Sequence, residues 1–316
     1  MGMWPRWRID DYIERHATID ETGDLVEPPD TPVDPRFPAV AAPFWPMGDW
    51  MEWLDQTLDD RAFRLLVHRY RRDAADFRSR LARQFEPLPR AAAGRAVLAE
   101  IGRSRHVARF VPNWNIDDPL NADAIPRASV RSGVDDTVNA AARGVRFRSG
   151  GRRRVGTGRG TNSLIRYTPQ LWGPGRAANS KADADQPDVV IFHELVHAAR
   201  QARGLQEPNA PGDDYRDYDN FEEYVAIVVT NIYMSERNLA GLLGGHDDEP
   251  LRRPEKFLDN DQRLTPSPRE LMRRLKTTQR EFYDDLAAVP ARFNPVREHE
   301  AELRAGRALA GAMLGG

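Results

Sequence analysis

The chain has 316 residues, of which 40% are hydrophobic and 30% charged, with a formal net charge of −2. That is enough apolar material for a full core, and too little net charge for a general attraction to polyanions. There is no cysteine, which excludes disulfide scaffolds, thiolate metal sites and cysteine nucleophiles.

The amino-terminal "MGMWPRWRIDDYIERH" is charged within six residues and has no long apolar core, so it does not read as a Sec-type signal. Arg6 stands where a myristoylation signal needs Ser or Thr. No apolar run approaches the roughly 20 residues of a membrane span. The expected location is therefore cytoplasmic, or a site reached by export without a Sec signal. Residues 1–48 are proline-rich and read as extended or irregular chain, and residues 49–86 have helical spacing that Pro87 and Pro89 end. Residues 91–103 predict a helix with Val97, Leu98 and Ile101 on one side, and "HVARFVP" after it alternates like a strand. A helix feeding a strand begins an α+β body near residue 90. Residues 113–160 read as loop, ending in "GVRFRSGGRRRVGTGRG", whose Gly-Gly predicts a hairpin. "TNSLIRYTP" (161–169) is the best strand. Three helices follow over 187–203, 220–238 and 267–288, the last with Ser267, Pro268 and Glu270 as N-cap, N1 and N3. An amphipathic stretch, "PVREHEAELRAGRALAGAM", predicts a final helix.

The chemistry is concentrated in "PDVVIFHELVHAARQARG", residues 187–204. Positions i and i+4 of a helix share a face, so His193 and His197 can turn two imidazoles toward one metal. Glu194 is rotated by about 100° and flanks that metal, placed to take a proton from water; this is why H-E-x-x-H suits zinc hydrolysis. The rest of the helix is apolar nearly all round, so it belongs in the centre of a domain, and burying two imidazoles and a carboxylate there without a use is costly. Zinc with an open water position needs a third protein ligand. Glu222 and Glu223 open the next apolar helix; Glu223 is preferred, because E-x-x-A with Ala226 lets the helices approach closely. The competing explanation is capping: Asn220 with Glu223 has capping-box spacing, and Glu222 suits a helix N-terminus. Candidates for stabilising the oxyanion are Tyr218, Tyr215 and His246.

With these segments in view, "AGRAVLAEIGRSRHVARFVP", "GTGRGTNSLIRYTP", "HELVHAARQARG" and "FEEYVAIVVTN" occur in an order that resembles the effector-type zinc metallopeptidases of the M91 (NleD-like) class. The likeness covers roughly residues 90–295. It implies a zincin-like α+β fold, with a small mixed sheet whose edge strand lies over the H-E-x-x-H helix and helices elsewhere. It implies a zinc endopeptidase of the effector or toxin type, with His193 and His197 as ligands, Glu194 as base, the glutamate of "EEYVA" as third ligand, and a protein or peptide substrate. In such folds the strand above the zinc helix holds substrate as an added strand, and "SLIRYTP" is the candidate. The organisation this implies is an extension over 1–89, the peptidase domain over 90–295 and a tail over 296–316.

Two alternatives belong to other classes. Between Thr137 and Ala182 there are ten basic residues and no acid, which reads as a solvated hairpin face, a wall selecting acidic peptide, or a nucleic-acid site over 143–159. The last lacks aromatic interleaving, so no nucleic-acid partner is expected. A catalytically dead scaffold is opposed by the intact His193, Glu194 and His197. "GTGRG" (156–160) is a weak phosphate-loop match, because no helix clearly follows it.

Overall fold

The structure, a computed structural model, describes residues 18–19, 25–26, 31–42, 77–112, 122–127, 135–149, 151–167, 169, 186–207, 218, 220–245, 250–260 and 264–314. Its strands are β1 (Thr18–Ile19), β2 (Leu25–Val26), β3 (Thr31–Pro32), β4 (Val40–Ala42), β5 (Ala108–Pro112), β6 (Asp123–Arg127), β7 (Arg146–Ser149), β8 (Arg152–Val155) and β9 (Asn162–Tyr167). Its helices are α1 (77–85), α2 (Ala92–Gly102), α3 (Thr137–Ala140), α4 (Pro187–Arg203), α5 (Phe221–Glu236), α6 (Pro268–Thr278), α7 (Arg280–Ala287) and α8 (Pro295–Leu314).

The main sheet is mixed and five-stranded, in the order β3-β4-β5-β9-β6. β5 runs parallel to β9, and β6 runs antiparallel to β9 with Ala124 opposite Ile165 and Pro126 opposite Ser163. One face packs on α4, where Ile165 and Tyr167 are fully buried. Behind α4 lie α2 and α5, so the H-E-x-x-H helix is enclosed between sheet and helices. This is the mixed α/β architecture expected from the sequence, with a small sheet and helices elsewhere.

The apolar circumference of α4 explains its position. Val189, Ile191, Phe192, Leu195 and Val196 are all at 1% exposure or less, each contributing about 1.5–3 kcal/mol by burial. Phe192 stacks on Tyr233 of α5 with ring centroids 4.3 Å apart, worth roughly 0.5–1.5 kcal/mol beyond area alone. Pro187 opens the helix and Gly204 closes it in the left-handed region at φ 64°. Gly204 also lies against the 156–160 loop: a Cβ there would meet the Gly160 nitrogen at 2.6 Å. The glycines of "GTGRG" therefore serve close backbone approach, and the segment leads into β9, as strand and not helix.

Three sequence expectations are corrected. "SLIRYTP" is not an edge: β9 lies between β5 and β6, so both of its hydrogen-bonding sides are taken. The edge on that side is β6, with β3 at the other; β6 lies in a segment that reads as loop because Pro126 interrupts its pattern, and proline is tolerated on an edge strand, where its missing N–H faces outward. The helix expected over 267–288 is two, α6 and α7, parted at Gln279. The Gln279 side chain is drawn inward to Arg200 and Glu100. The β7–β8 hairpin, the Ser267 cap accepting from the Glu270 N–H, and the final helix form as expected.

Candidate metal centre

α4 and α5 bring three donor atoms to one point. The Nε2 atoms of His193 and His197 are 3.1 Å apart. Glu223 places Oε2 3.1 Å from His193 Nε2 and Oε1 3.3 Å from His197 Nε2. This trio is the group of metal-ligating side chains found among the described residues. Neighbouring donors on a tetrahedral zinc with bonds of about 2.05 Å stand about 3.3 Å apart, so the spacing fits that ion. The chemistry fits as well: lone pairs of two imidazoles facing each other repel unless a proton or a cation lies between them.

Each donor is held from behind. His193 is half-buried, and its Nδ1 lies 3.5 Å from Thr230 Oγ1, the outer limit of a hydrogen bond. Donation from Nδ1–H to that hydroxyl would leave Nε2 free as a ligand. Glu223 N–H donates to Asn220 Oδ1 at 3.0 Å. Half of the capping box thus forms through the backbone, while the Glu223 carboxylate goes to the histidines. Glu222 does something else. Its carboxylate accepts from Arg200 Nε at 2.7 Å and Nη2 at 2.9 Å, both side chains buried. It also takes the Glu207 N–H at 2.7 Å. The two adjacent glutamates, indistinguishable by spacing, thus divide the work: Glu222 ties α5 to α4 and Glu223 faces the imidazoles.

The electrostatics follow from this packing. Burial works against ionising Glu223, yet His197 and His193 hold it well below the usual carboxylate range. Burial opposes charging of His197, but the Glu223 carboxylate outweighs it and raises the imidazole above its ordinary value. Glu194 lies on the flank of α4. Burial pushes its carboxyl up to about 8; Glu223 and Asp123 add to the rise, while His193 and the Ala124 backbone N–H pull the other way. A carboxyl titrating near neutrality is suited to taking and returning protons at pH 7.

Three further predicted residues are the oxyanion candidates. Tyr218 is fully buried, its ring 4.8 Å from that of Tyr224. Tyr215 and His246 lie outside the described residues. The sequence alone did not reveal Arg200, Thr230 or the edge strand β6. An arginine inside an apolar helix was a usable signal for the first, since guanidinium is almost never buried unpaired.

Two helices thus converge imidazole and carboxylate donors that could hold a metal ion, with a second carboxyl beside them. The model of the M91 peptidase family, described as effector proteins, matches residues 68–283. The chain belongs to that family. Comparison with curated proteins and with solved structures gives no match. Among the described residues no helix is long and apolar enough to cross a membrane.

Proposed function

We propose that this effector peptidase is a zinc-dependent endopeptidase with a zincin-like site, in which His193, His197 and Glu223 hold the metal and Glu194 is the general base. The observation that carries the proposal is the triangle of donors 3.1–3.3 Å apart beside the Glu194 carboxyl. Zinc held by these three residues would supply Lewis acidity toward a scissile carbonyl and would acidify water. Glu194 takes the proton of the attacking water on its carboxylate and returns it to the leaving amine. Its buried position keeps that carboxyl a strong enough base at neutral pH. Tyr218 is the candidate donor to the oxyanion.

The substrate is a protein segment lying extended along β6. Pro126 has no N–H, so by the period of two Ala124 and Pro126 turn their main chain outward from β9. Ala124 C=O accepts from Gln201 Nε2 at 2.7 Å. An incoming strand takes over that carbonyl, beyond the point where the Pro126 carbonyl already accepts from the Asp136 N–H at 3.1 Å. As an effector, the protein is exported and cuts proteins of a target cell; the limits 90–295 and 296–316 go with this proposal, with the 1–89 extension lending β3 and β4 to the peptidase sheet.

The test is mass-spectrometric profiling of new protein termini in a proteome treated with the wild type and with Glu194→Gln, each carrying about one zinc per chain. New termini with the wild type only are expected. Identical profiles would falsify the peptidase.

A further inference from the structure

The β7–β8 ribbon is an unusual surface for a chain of net charge −2. Arg146 and Arg148 on β7, and Arg152, Arg153 and Arg154 on β8, are all exposed. Arg148 stands directly opposite Arg153 across the ribbon, and like charges in that position destabilise a strand pair. Elsewhere exposed arginines sit beside acids, as in Arg36–Asp34, Arg90–Glu86 and Arg280–Asp284. On the ribbon, among the described residues, none has an acidic partner; the bond made there is from Arg148 to the Gly151 carbonyl at 3.4 Å. A ribbon that keeps this self-repulsion is suited to an anionic counterpart.

The ribbon is also fixed to the catalytic helix. Its base is closed by the Gly156 N–H to Val145 C=O bond at 2.8 Å. The loop leaving it packs on the end of α4, where a Cβ on Gly160 would lie 2.1 Å from the Ala202 carbonyl oxygen. That loop carries Arg159, which with Arg105 and His106 lines a cleft of about 210 Å³. Ala202, in the same cleft, is five residues beyond His197 on α4, about 7.5 Å along the axis. The positive surface is therefore held at a set distance from the metal ligands.

We infer that the β7–β8 ribbon and the adjoining Arg105–Arg159 cleft form an exosite that docks an acidic stretch of the protein substrate. This rests on the peptidase function proposed above. The choice of peptide over nucleic acid follows from the exposed face: Phe147 is turned inward at 7% exposure, leaving no aromatic platform for bases. Charge complementarity without stacking suits Asp and Glu side chains, which arginine pairs through bidentate hydrogen bonds.

The test is fluorescence anisotropy with labelled oligo-glutamate, on the full chain and on Arg152→Glu/Arg153→Glu/Arg154→Glu, with a scrambled neutral peptide as reference. The wild type binds oligo-glutamate and not the neutral peptide, and the triple variant weakens binding at least about tenfold. Raising salt from about 50 to about 200 mM weakens wild-type binding in the same sense. Arg148→Ala/Arg153→Ala, which relieves the opposed pair and cannot unfold the ribbon by new repulsion, gives a smaller loss of the same sign. Equal affinity across these proteins overturns the exosite. So does a DNA duplex, or an anionic vesicle, that binds at least as tightly and is lost in the same variants. Binding needs no catalysis, so the two proposals fail separately. Peptide capture with identical terminus profiles removes the peptidase alone, and cleavage with no capture removes the exosite alone.

Discussion

Replacing Glu222 with glutamine should damage the fold and the metal centre together. The carboxylate of Glu222 is the counter-charge to Arg200, and the two residues are 7% and 2% exposed. Burial alone opposes the Arg200 charge, and Glu222 outweighs it, holding the guanidinium above its ordinary value. Arg200 keeps two neutral acceptors, Gln279 Oε1 at 3.0 Å and the Leu205 carbonyl at 2.6 Å. Glutamine at 222 preserves the shape and loses the charge, leaving a cation in the interior. Breaking one side of such a pair costs about 3–5 kcal/mol, roughly a fifth or more of a typical folding free energy of about 5–15 kcal/mol. Breaking the exposed Arg280–Asp284 pair, at 71% and 52% exposure, should cost less than about 1 kcal/mol. Urea denaturation of Glu222→Gln should show a lower midpoint at unchanged slope. The double variant Arg200→Met/Glu222→Leu, which removes both charges, should recover most of the loss. Because Glu222 anchors the turn that carries Glu223, zinc affinity in a chelator competition should fall by about 10- to 100-fold. A single variant within about 1 kcal/mol of wild type, or a double variant no better than the single, would show that the pair does not hold α5 to α4.

Four further outcomes follow. Thr230→Val, which removes the hydroxyl behind His193 Nδ1, should keep the fold by circular dichroism and weaken zinc by about tenfold; unchanged affinity means the hydroxyl does not orient the ring. Chelation of zinc should lower the melting temperature, since a metal at about 100 times its Kd adds roughly 2.7 kcal/mol; an unchanged melting curve, with zinc counted before and after, refutes a metal bound by the folded state. Glu236→Ala should cost about 1–2 kcal/mol, read by urea denaturation, because its carboxylate accepts the Ala92 and Ala93 N–H groups at 2.7 and 2.9 Å and so caps α2 from α5. Burial lowers the pKa of His299 below its ordinary value; Glu302 and Glu300 oppose this, and Lys276 and Arg269 reinforce it. Stability from this group is therefore full above about 6.5 and lost as pH falls through the lower folded value, so the wild-type loss between pH 7.5 and 5.5 should shrink in His299→Gln.

The sequence conveyed the candidate donors better than their frame, and the difference has a physical cause. His193, Glu194 and His197 lie on one helix, so their relative placement follows from a pitch of 3.6 residues and needs no tertiary information. The same holds for the Gly204 stop and the Ser267 cap. β6 depends on a partner far away in the chain, and its own pattern is broken by Pro126; only the pairing of Ala124 with Ile165 makes it a strand. With β6 hidden, the sequence shows no second neighbour for β9, and nothing in it opposes the edge role that the resemblance implies.

Glu222 and Glu223 show the limit most clearly. Both begin the same helix, both are acidic, and the capping box fits the observed Asn220 bond whether or not Glu223 also faces a metal. What separates them is a cation of another segment: Arg200, three residues past His197 on the same helix, takes Glu222. That choice leaves Glu223 as the carboxylate free to meet both imidazoles. The choice of Glu223 as the proposed third donor thus rests on where a buried guanidinium finds its counter-charge, a consequence of α4 and α5 packing together that neither helix states alone.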